Sequence, residues 1–172
     1  MTILEPERVD RTLARYATSL GPSAPVYRNH VLRGLNYHAL LFRRALPASA
    51  VLAWTVHDLG LWTAGTFDYL APSADLVDEL AADFGVVDTG EAKLMVLDHH
   101  KLRAADNRLV ETFRRADLID VGRGLVRFGI ARTQMHGIVR AFPYLGFHRW
   151  LAAGLARHAI RHPTAPAPMV RW

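Results

Sequence analysis

The chain has 172 residues, 51% of them apolar and 22% charged, and 21 Lys+Arg against 16 Asp+Glu leave a net charge of +5 with nine histidines counted neutral. That length suits a single domain over residues 1–172 with one sizeable core, and the composition excludes a disordered chain. The absence of cysteine excludes disulfides and thiolate metal sites, so any metal must be held by nitrogen and oxygen.

The opening stretch "MTILEPERVDR" carries acids where a secretory signal needs a basic start and an apolar core. No apolar run approaches the roughly 18 residues that cross a bilayer. A soluble, cytoplasmic protein with no membrane partner is expected. The positive balance suits phosphates on nucleotides or nucleic acid, but the arginines are scattered with no basic run or arm. A nucleic-acid partner is therefore allowed and not favoured, because a binding face needs clustered charge.

Helical spacing runs almost throughout. Val9, Leu13, Ala17 and Leu20 recur behind Pro6, and "GPSAP" ends that first helix. A second helix is expected from Val26 to about Leu46, carrying Tyr27, Val31, Leu35, His38 and Phe42. The third starts near Pro47 and reads "PASAVLAWTVHD", with Gly60 as its stop. Beyond the loop "WTAGTFDYLAP", Ser73 can cap a helix that ends near Gly85. Asp88 and Glu91 are spaced as a capping box for the next helix, which reaches "VLDHHK". Further helices are expected at about Asn107–Val121, Arg132–Phe142 and Gly146–His162. The tail from 163 to 172, "PTAPAPMVRW", is proline-rich and extended, and its apolar Met169, Val170 and Trp172 suit docking on the body. No segment alternates with period two, so the expected fold is all-α, a bundle-like domain of about seven or eight helices.

Polar residues on apolar faces raise the functional question. Val110, Phe113, Asp117 and Asp120 form one stripe, with Arg114 and Arg115 pointing elsewhere, so Asp117 lies in a core-facing row. Burying an unpaired carboxylate costs several kcal/mol, so Asp117 must be ion-paired, engaged at a helix cap or ligated. The same holds for His30, beside Val31, and for Asp58, four and seven residues after Trp54 and Val51. Adjacent helix positions diverge by about 100°, so His57 and Asp58 can share an ion only at a helix end.

The ordered series His30 in "YRNHVLRGL", His57-Asp58 in "AWTVHDLG" and Asp117 in "RRADLIDV" resembles the HD-domain superfamily of metal-dependent phosphohydrolases. The resemblance covers about Tyr27 to Gly124, and the ordered combination is far more specific than a His-Asp pair alone. It implies an all-helical fold and one divalent metal ion held by His30, His57, Asp58 and Asp117. It also implies that a histidine of the "LDHHKLR" stretch meets the phosphate or a second metal; the plain alternative is a surface pair at a helix C-terminus. Ala92, Met95, Val96 and His99 form one stripe, while His100 joins Lys93 and Leu97 on the next, so His99 is expected to face the site. Asp68 and Tyr69 would stand at its mouth, unless Asp68 is a solvated turn residue.

Two departures from the family matter. Leu61 stands where many of these enzymes have a glutamate, and no histidine lies between Asp58 and His99. Both favour a mononuclear centre and leave the general base open. His136, His148, His158 and His162 read as structural or surface residues.

The resemblance implies a metal-activated water cleaving a phosphate ester or anhydride of a nucleotide or other small phosphorylated metabolite. Asp58, His99 and Asp68 would then be catalytic, and Lys101, Arg103 and Arg123 would bind phosphate oxygens. The mixed His/carboxylate set suits Mn²⁺, Fe²⁺, Co²⁺ or Zn²⁺. An oxygenase or hydratase of the same fold, or a non-catalytic phosphate or nucleic-acid binder, are the rival readings. Homo-oligomer formation is left open.

Overall fold

Residues 3–170 are described by a computed structural model, and it is all-helical, with no β-strand among them. The helices are α1 (Glu7–Arg15), α2 (Ala17–Leu20), α3 (Ala24–Phe42), α4 (Ala48–Val56), α5 (Gly60–Thr63), α6 (Leu70–Phe84), α7 (Gly90–Asp98), α8 (Arg108–Val121), α9 (Arg132–Ala141) and α10 (Phe147–Arg161). Eight of the ten have nine or more residues; α2 and α5 are single turns. No helix among the described residues is long and apolar enough to cross a membrane.

Two packed groups meet at the site. The long α3 lies along α8, while α4 is flanked by α6 and α7. Gly34 lets α3 approach α4: a Cβ there would sit 2.1 Å from the Trp54 ring. Trp54 is fully buried, stacks on Phe113 with centroids 4.2 Å apart, and donates its indole N–H to His38 Nδ1 at 3.0 Å. This aromatic block fixes the relative positions of α3, α4 and α8, and it forms the floor on which the polar residues converge. The last helix is held more lightly. Phe147 is its one buried residue among those described, and Trp150 stacks on Trp62 at 4.9 Å.

Several boundaries differ from the sequence expectation, each for a local reason. The second expected helix stops at Phe42, because Arg43 turns left-handed (φ 59°). Gly60 does not end α4; it opens α5, and a Cβ there would meet Tyr69 O at 2.6 Å and Ser73 Oγ at 2.8 Å. Its glycine serves close backbone approach, not a left-handed cap. Ser73 lies inside α6, fully buried, where its Oγ accepts the Gly60 N–H at 3.0 Å. The Asp88–Glu91 capping box does not form: Asp88 accepts from Gly90 N–H at 2.9 Å, and Glu91 instead accepts from Asn107 Nδ2 at 3.0 Å. Asn107 does cap α8, accepting the N–H groups of Leu109 and Val110. In the tail, Met169 is buried against Tyr69 and Leu70 while Val170 is exposed; Trp172 lies outside the described residues.

Candidate metal centre

Five elements bring side chains to one point above the Trp54–Phe113 floor. His30 comes from the middle of α3. His57 and Asp58 sit in the turn that follows α4, where the ladder gives way to Leu59 N–H donating to Val56 O at 2.9 Å. Leaving the helix there removes the angular divergence that would otherwise separate neighbours. His99 and His100 follow the end of α7 in the same way, and Asp117 and Asp120 are one turn apart on α8. Tyr69, just ahead of α6, closes the side next to His100.

The orientation of the rings is the informative feature. His30 Nδ1 lies 2.7 Å from Asp120 Oδ2, His57 Nδ1 is 2.9 Å from Trp54 O, and His99 Nδ1 is 2.7 Å from Val96 O. All three partners are acceptors, so each Nδ1 carries the proton and donates outward. Each Nε2 therefore turns inward, where the neutral ring bears its lone pair. His30 Nε2 and His57 Nε2 are 3.0 Å apart. Asp58 Oδ2 is 3.5 Å from both of them, and Asp117 Oδ1 is 3.5 Å and 3.9 Å from the two. Asp58 Oδ1 faces His99 Nε2 at 3.4 Å. Asp58 Oδ1, His99 Nε2 and Asp117 Oδ1 are buried without a hydrogen-bond partner. Converging lone pairs and carboxylates in a buried site repel one another unless a cation sits among them.

The titration behaviour follows from this crowding. Burial alone would lower His30, but its bonds to Asp120 and Asp58 outweigh that and raise it to about 10. Burial pushes His57 down to about 3, leaving it a neutral acceptor. For Asp117, burial raises the carboxyl to about 6 against the pull of His99 and His30. Asp58, though buried, is held well below the usual carboxylate range by His57, His30 and His99. His99 is raised, its burial outweighed by the nearby Asp58 and Asp117 carboxylates.

Behind His30 stands a buried ion pair. Arg33 Nε donates to Asp120 Oδ1 at 2.6 Å and Nη2 to Oδ2 at 2.8 Å, and Nη1 reaches Phe142 O at 3.0 Å. Both residues are fully buried. Asp120 thus receives the His30 proton donor and the guanidinium together, which fixes the ring of His30 as outer partners of metal-ligating histidines commonly do.

The fit to a metal is direct. His30, His57 and Asp58 offer ligand atoms within 4.8 Å of one another, and so do Asp58, His99 and His100. These groups can hold a metal ion, and Asp58 belongs to both. Asp117 adds its carboxylate against the His30 and His57 rings. The other sequence candidates lie elsewhere. Asp68 is exposed, with its backbone N–H on Thr66 Oγ1 at 3.1 Å. The Lys101 ammonium is turned to Asp98 at 2.9 Å, Arg103 is exposed, and Arg123 stands 5.7 Å from the Tyr144 ring beside a separate cleft.

His100 differs from its expected place. On an unbroken helix it would turn away with Lys93 and Leu97, but α7 ends at Asp98, so helical phase no longer governs it. Its Nε2 meets Tyr69 Oη at 2.8 Å and its Nδ1 lies 3.8 Å from Asp117 Oδ2. The sequence reading gave no role to Arg33 or to Asp120. Asp120 shares the stripe of Val110, Phe113 and Asp117, but nothing in that stripe marks it as a partner of His30, and Arg33, three residues after His30, carries no signal in the pattern. His148 is tied to the same region as a structural residue, with Nε2 2.9 Å from Asp120 O. No protein-family model, curated protein or solved structure matches the chain.

Proposed function

We propose that this protein is a metal-dependent hydrolase of the HD superfamily that cleaves a phosphate ester or anhydride in a small phosphorylated molecule. One observation carries the metal part: three imidazoles donate every Nδ1 proton outward and aim every Nε2 at Asp58 and Asp117. The phosphate part is supported by the ordered His30, His57-Asp58, Asp117 series.

His30, His57, Asp58 and Asp117 would hold one divalent ion among Mn²⁺, Fe²⁺, Co²⁺ and Zn²⁺. When bound, it supplies Lewis acidity and a source of hydroxide near neutral pH. The protein's own groups do the rest. Asp58 places one oxygen toward His30 and His57 and the other toward His99, so it can hold a nucleophile in register with a proton carrier. His99, its pKa raised despite burial by the Asp58 and Asp117 carboxylates, aims Nε2 at Asp58 Oδ1 and would relay a proton between that oxygen and a leaving oxygen. Substrate enters on the side of Asp58 and His100, whose side chains are 12% and 24% exposed while the other rings are closed off. Arg103, exposed three residues after His100, would attract the phosphate toward that side, while the Lys101 ammonium is held by Asp98. Asp68 and Arg123 take no part in this reading.

A second reading rests on Asp58, His99 and His100 forming a ligand group of their own. A second ion there would suit the two-metal oxygenases of this superfamily, or its hydratases. The test is turnover of bis-p-nitrophenyl phosphate, p-nitrophenyl phosphate and a nucleotide panel by protein loaded with each metal, beside metal content per chain and oxygen uptake. Phosphate release that requires metal and disappears in Asp58→Ala, with helical content kept, is expected. Metal-independent release, or full metal occupancy in Asp58→Ala, would sink the proposal; two ions per chain with oxygen uptake and no phosphate release would favour the second reading.

A further inference from the structure

The charge of this chain is unevenly placed. Residues 121–172 contain eight arginines and no Asp or Glu, so the positive balance of the whole protein resides there. In the fold, Arg123, Arg127, Arg132 and Arg140 come together with His136 around one cleft of about 510 Å³. No Asp or Glu lines it.

The local structure makes this grouping specific. Arg132, His136 and Arg140 are four residues apart on α9 and so form one ridge. Arg132 and Arg140 thus present two guanidinium groups on one face of α9, with no acidic residue on that helix to pair with them. Arg123 and Arg127 face the ridge from the loop after α8. That loop is bent into place: Arg123 and Phe128 adopt positive φ (52° and 46°), and Gly124 (φ 73°) is pressed by Met135, whose Cε would lie 2.1 Å from a Cβ there. Non-glycine residues in the left-handed region carry strain that the surrounding packing must hold. The cleft is therefore a formed cavity. Met135, Val139 and Tyr144 give it an apolar floor between the guanidinium groups.

We propose that this cleft is a binding site for a small organic polyphosphate: an anion of several charges attached to an apolar or aromatic body. Its volume lies in the usual range of small-molecule sites, roughly 300–1,000 Å³. The guanidinium fork matches phosphate oxygens in pairs, and four forks around one space suit more than one phosphate group. The apolar floor selects against a bare inorganic ion. The concave shape selects against a nucleic-acid backbone, which needs a continuous track. The site is distinct from the His/Asp cluster and uses none of its residues.

The probe is ATP, titrated calorimetrically into the protein as purified and into the Asp58→Ala variant. One ATP per chain is expected in both, with equal affinity, so this site stands or falls separately from the hydrolase proposal. The double variant Arg132→Ala/Arg140→Ala changes exposed side chains only, and should weaken ATP at least tenfold with helical content and metal content unchanged. Inorganic triphosphate should bind more weakly than ATP because it leaves the floor uncovered. ATP that fails to bind at millimolar concentration, or binds the double variant as well as the parent, would overturn the assignment. A duplex oligonucleotide that binds more tightly than ATP and is lost in the same double variant would give the surface to nucleic acid instead.

Discussion

Asp120→Asn tests the idea that a buried ion pair behind the site orients His30. In the native fold Asp120 accepts from Arg33 at 2.6 and 2.8 Å and from His30 Nδ1 at 2.7 Å, with no exposure to solvent. Asparagine has nearly the same shape but replaces one acceptor oxygen with a donor. If its oxygen serves His30 and Arg33 Nη2, its NH₂ meets the Nε–H of Arg33, donor against donor. One charge-assisted bond is lost, about 1.5–3 kcal/mol. The guanidinium is left without its counter-charge, so the total approaches the roughly 3–5 kcal/mol for breaking a buried pair. The His30 ring also loses its anionic anchor, and such an outer partner is commonly worth about 10–100-fold in metal affinity. Two readouts are therefore expected to move: urea or thermal stability of the metal-free protein, and Zn²⁺ affinity of the folded protein by competition with a chromophoric chelator. A purely structural Asp120 would lower stability and leave the chelator competition unchanged within twofold. That outcome would refute the orienting role.

Three further outcomes follow from particular contacts. His38 is buried and neutral, its pKa pushed down by burial to about 3, so between about pH 3 and 6.5 the unfolded chain binds the extra proton. Its contribution is full above pH 6.5 and is lost as pH falls, about 2 kcal/mol between pH 7.5 and pH 5; urea midpoints of the parent and His38→Gln should diverge by that amount, and parallel profiles would contradict it. Gly34→Ala must displace the Trp54 ring, at about 1–3 kcal/mol for overpacking or about 2–4 °C of Tm per kcal/mol; an unchanged Tm would mean that α3 and α4 are not so closely seated. His99→Ala should slow phosphate-ester turnover roughly 10²-fold. His100→Ala should slow it less, since that ring touches Tyr69 and Asp117; negligible effects in both would remove the pair from the mechanism.

The fold was legible because apolar spacing is a local property. Val110 and Phe113 placed Asp117 on the inner row of α8, and the expected span of about Asn107–Val121 lies within a residue of the observed helix. The ends of helices were harder to read. Gly60 looks like a stop in the sequence, and only the closeness of Tyr69 O and Ser73 Oγ shows why glycine is needed there. His100 was misplaced for the same reason: row arguments extend a helix that in fact closes at Asp98. Of the site, its ordered His and Asp residues were readable and their outer partners were not. A buried Arg33 is invisible to patterning, because arginine reads as surface until the carboxylate that receives it, 87 residues away, is seen beside it. The Arg123–Arg140 cleft was missed because its charges are spaced through a loop and a helix and meet only in three dimensions.

The cluster also explains what the protein does without metal. Two inward Nε2 atoms 3.0 Å apart cannot both keep free lone pairs in a dry site, so the metal-free form takes a proton. His30 is where it resides: its pKa rises to about 10, while burial holds His57 near 3 as the acceptor. A proton shared between the rings and a metal ion held by them are alternatives for one position. Metal uptake must therefore expel that proton at neutral pH, since ligating imidazole is neutral. The sign is fixed by the raised value: below about pH 10 the competing proton is present, so apparent affinity increases with pH, by about tenfold per unit where one proton is displaced. Chelator competition for Zn²⁺ at pH 6.5, 7.5 and 8.5 should show this rise, with near-stoichiometric proton release seen in buffers of different ionisation enthalpy. The Asp120→Asn variant, having lost the anion that holds the His30 proton, should show a shallower dependence. A flat profile in the parent would mean that the rings are not the ligands.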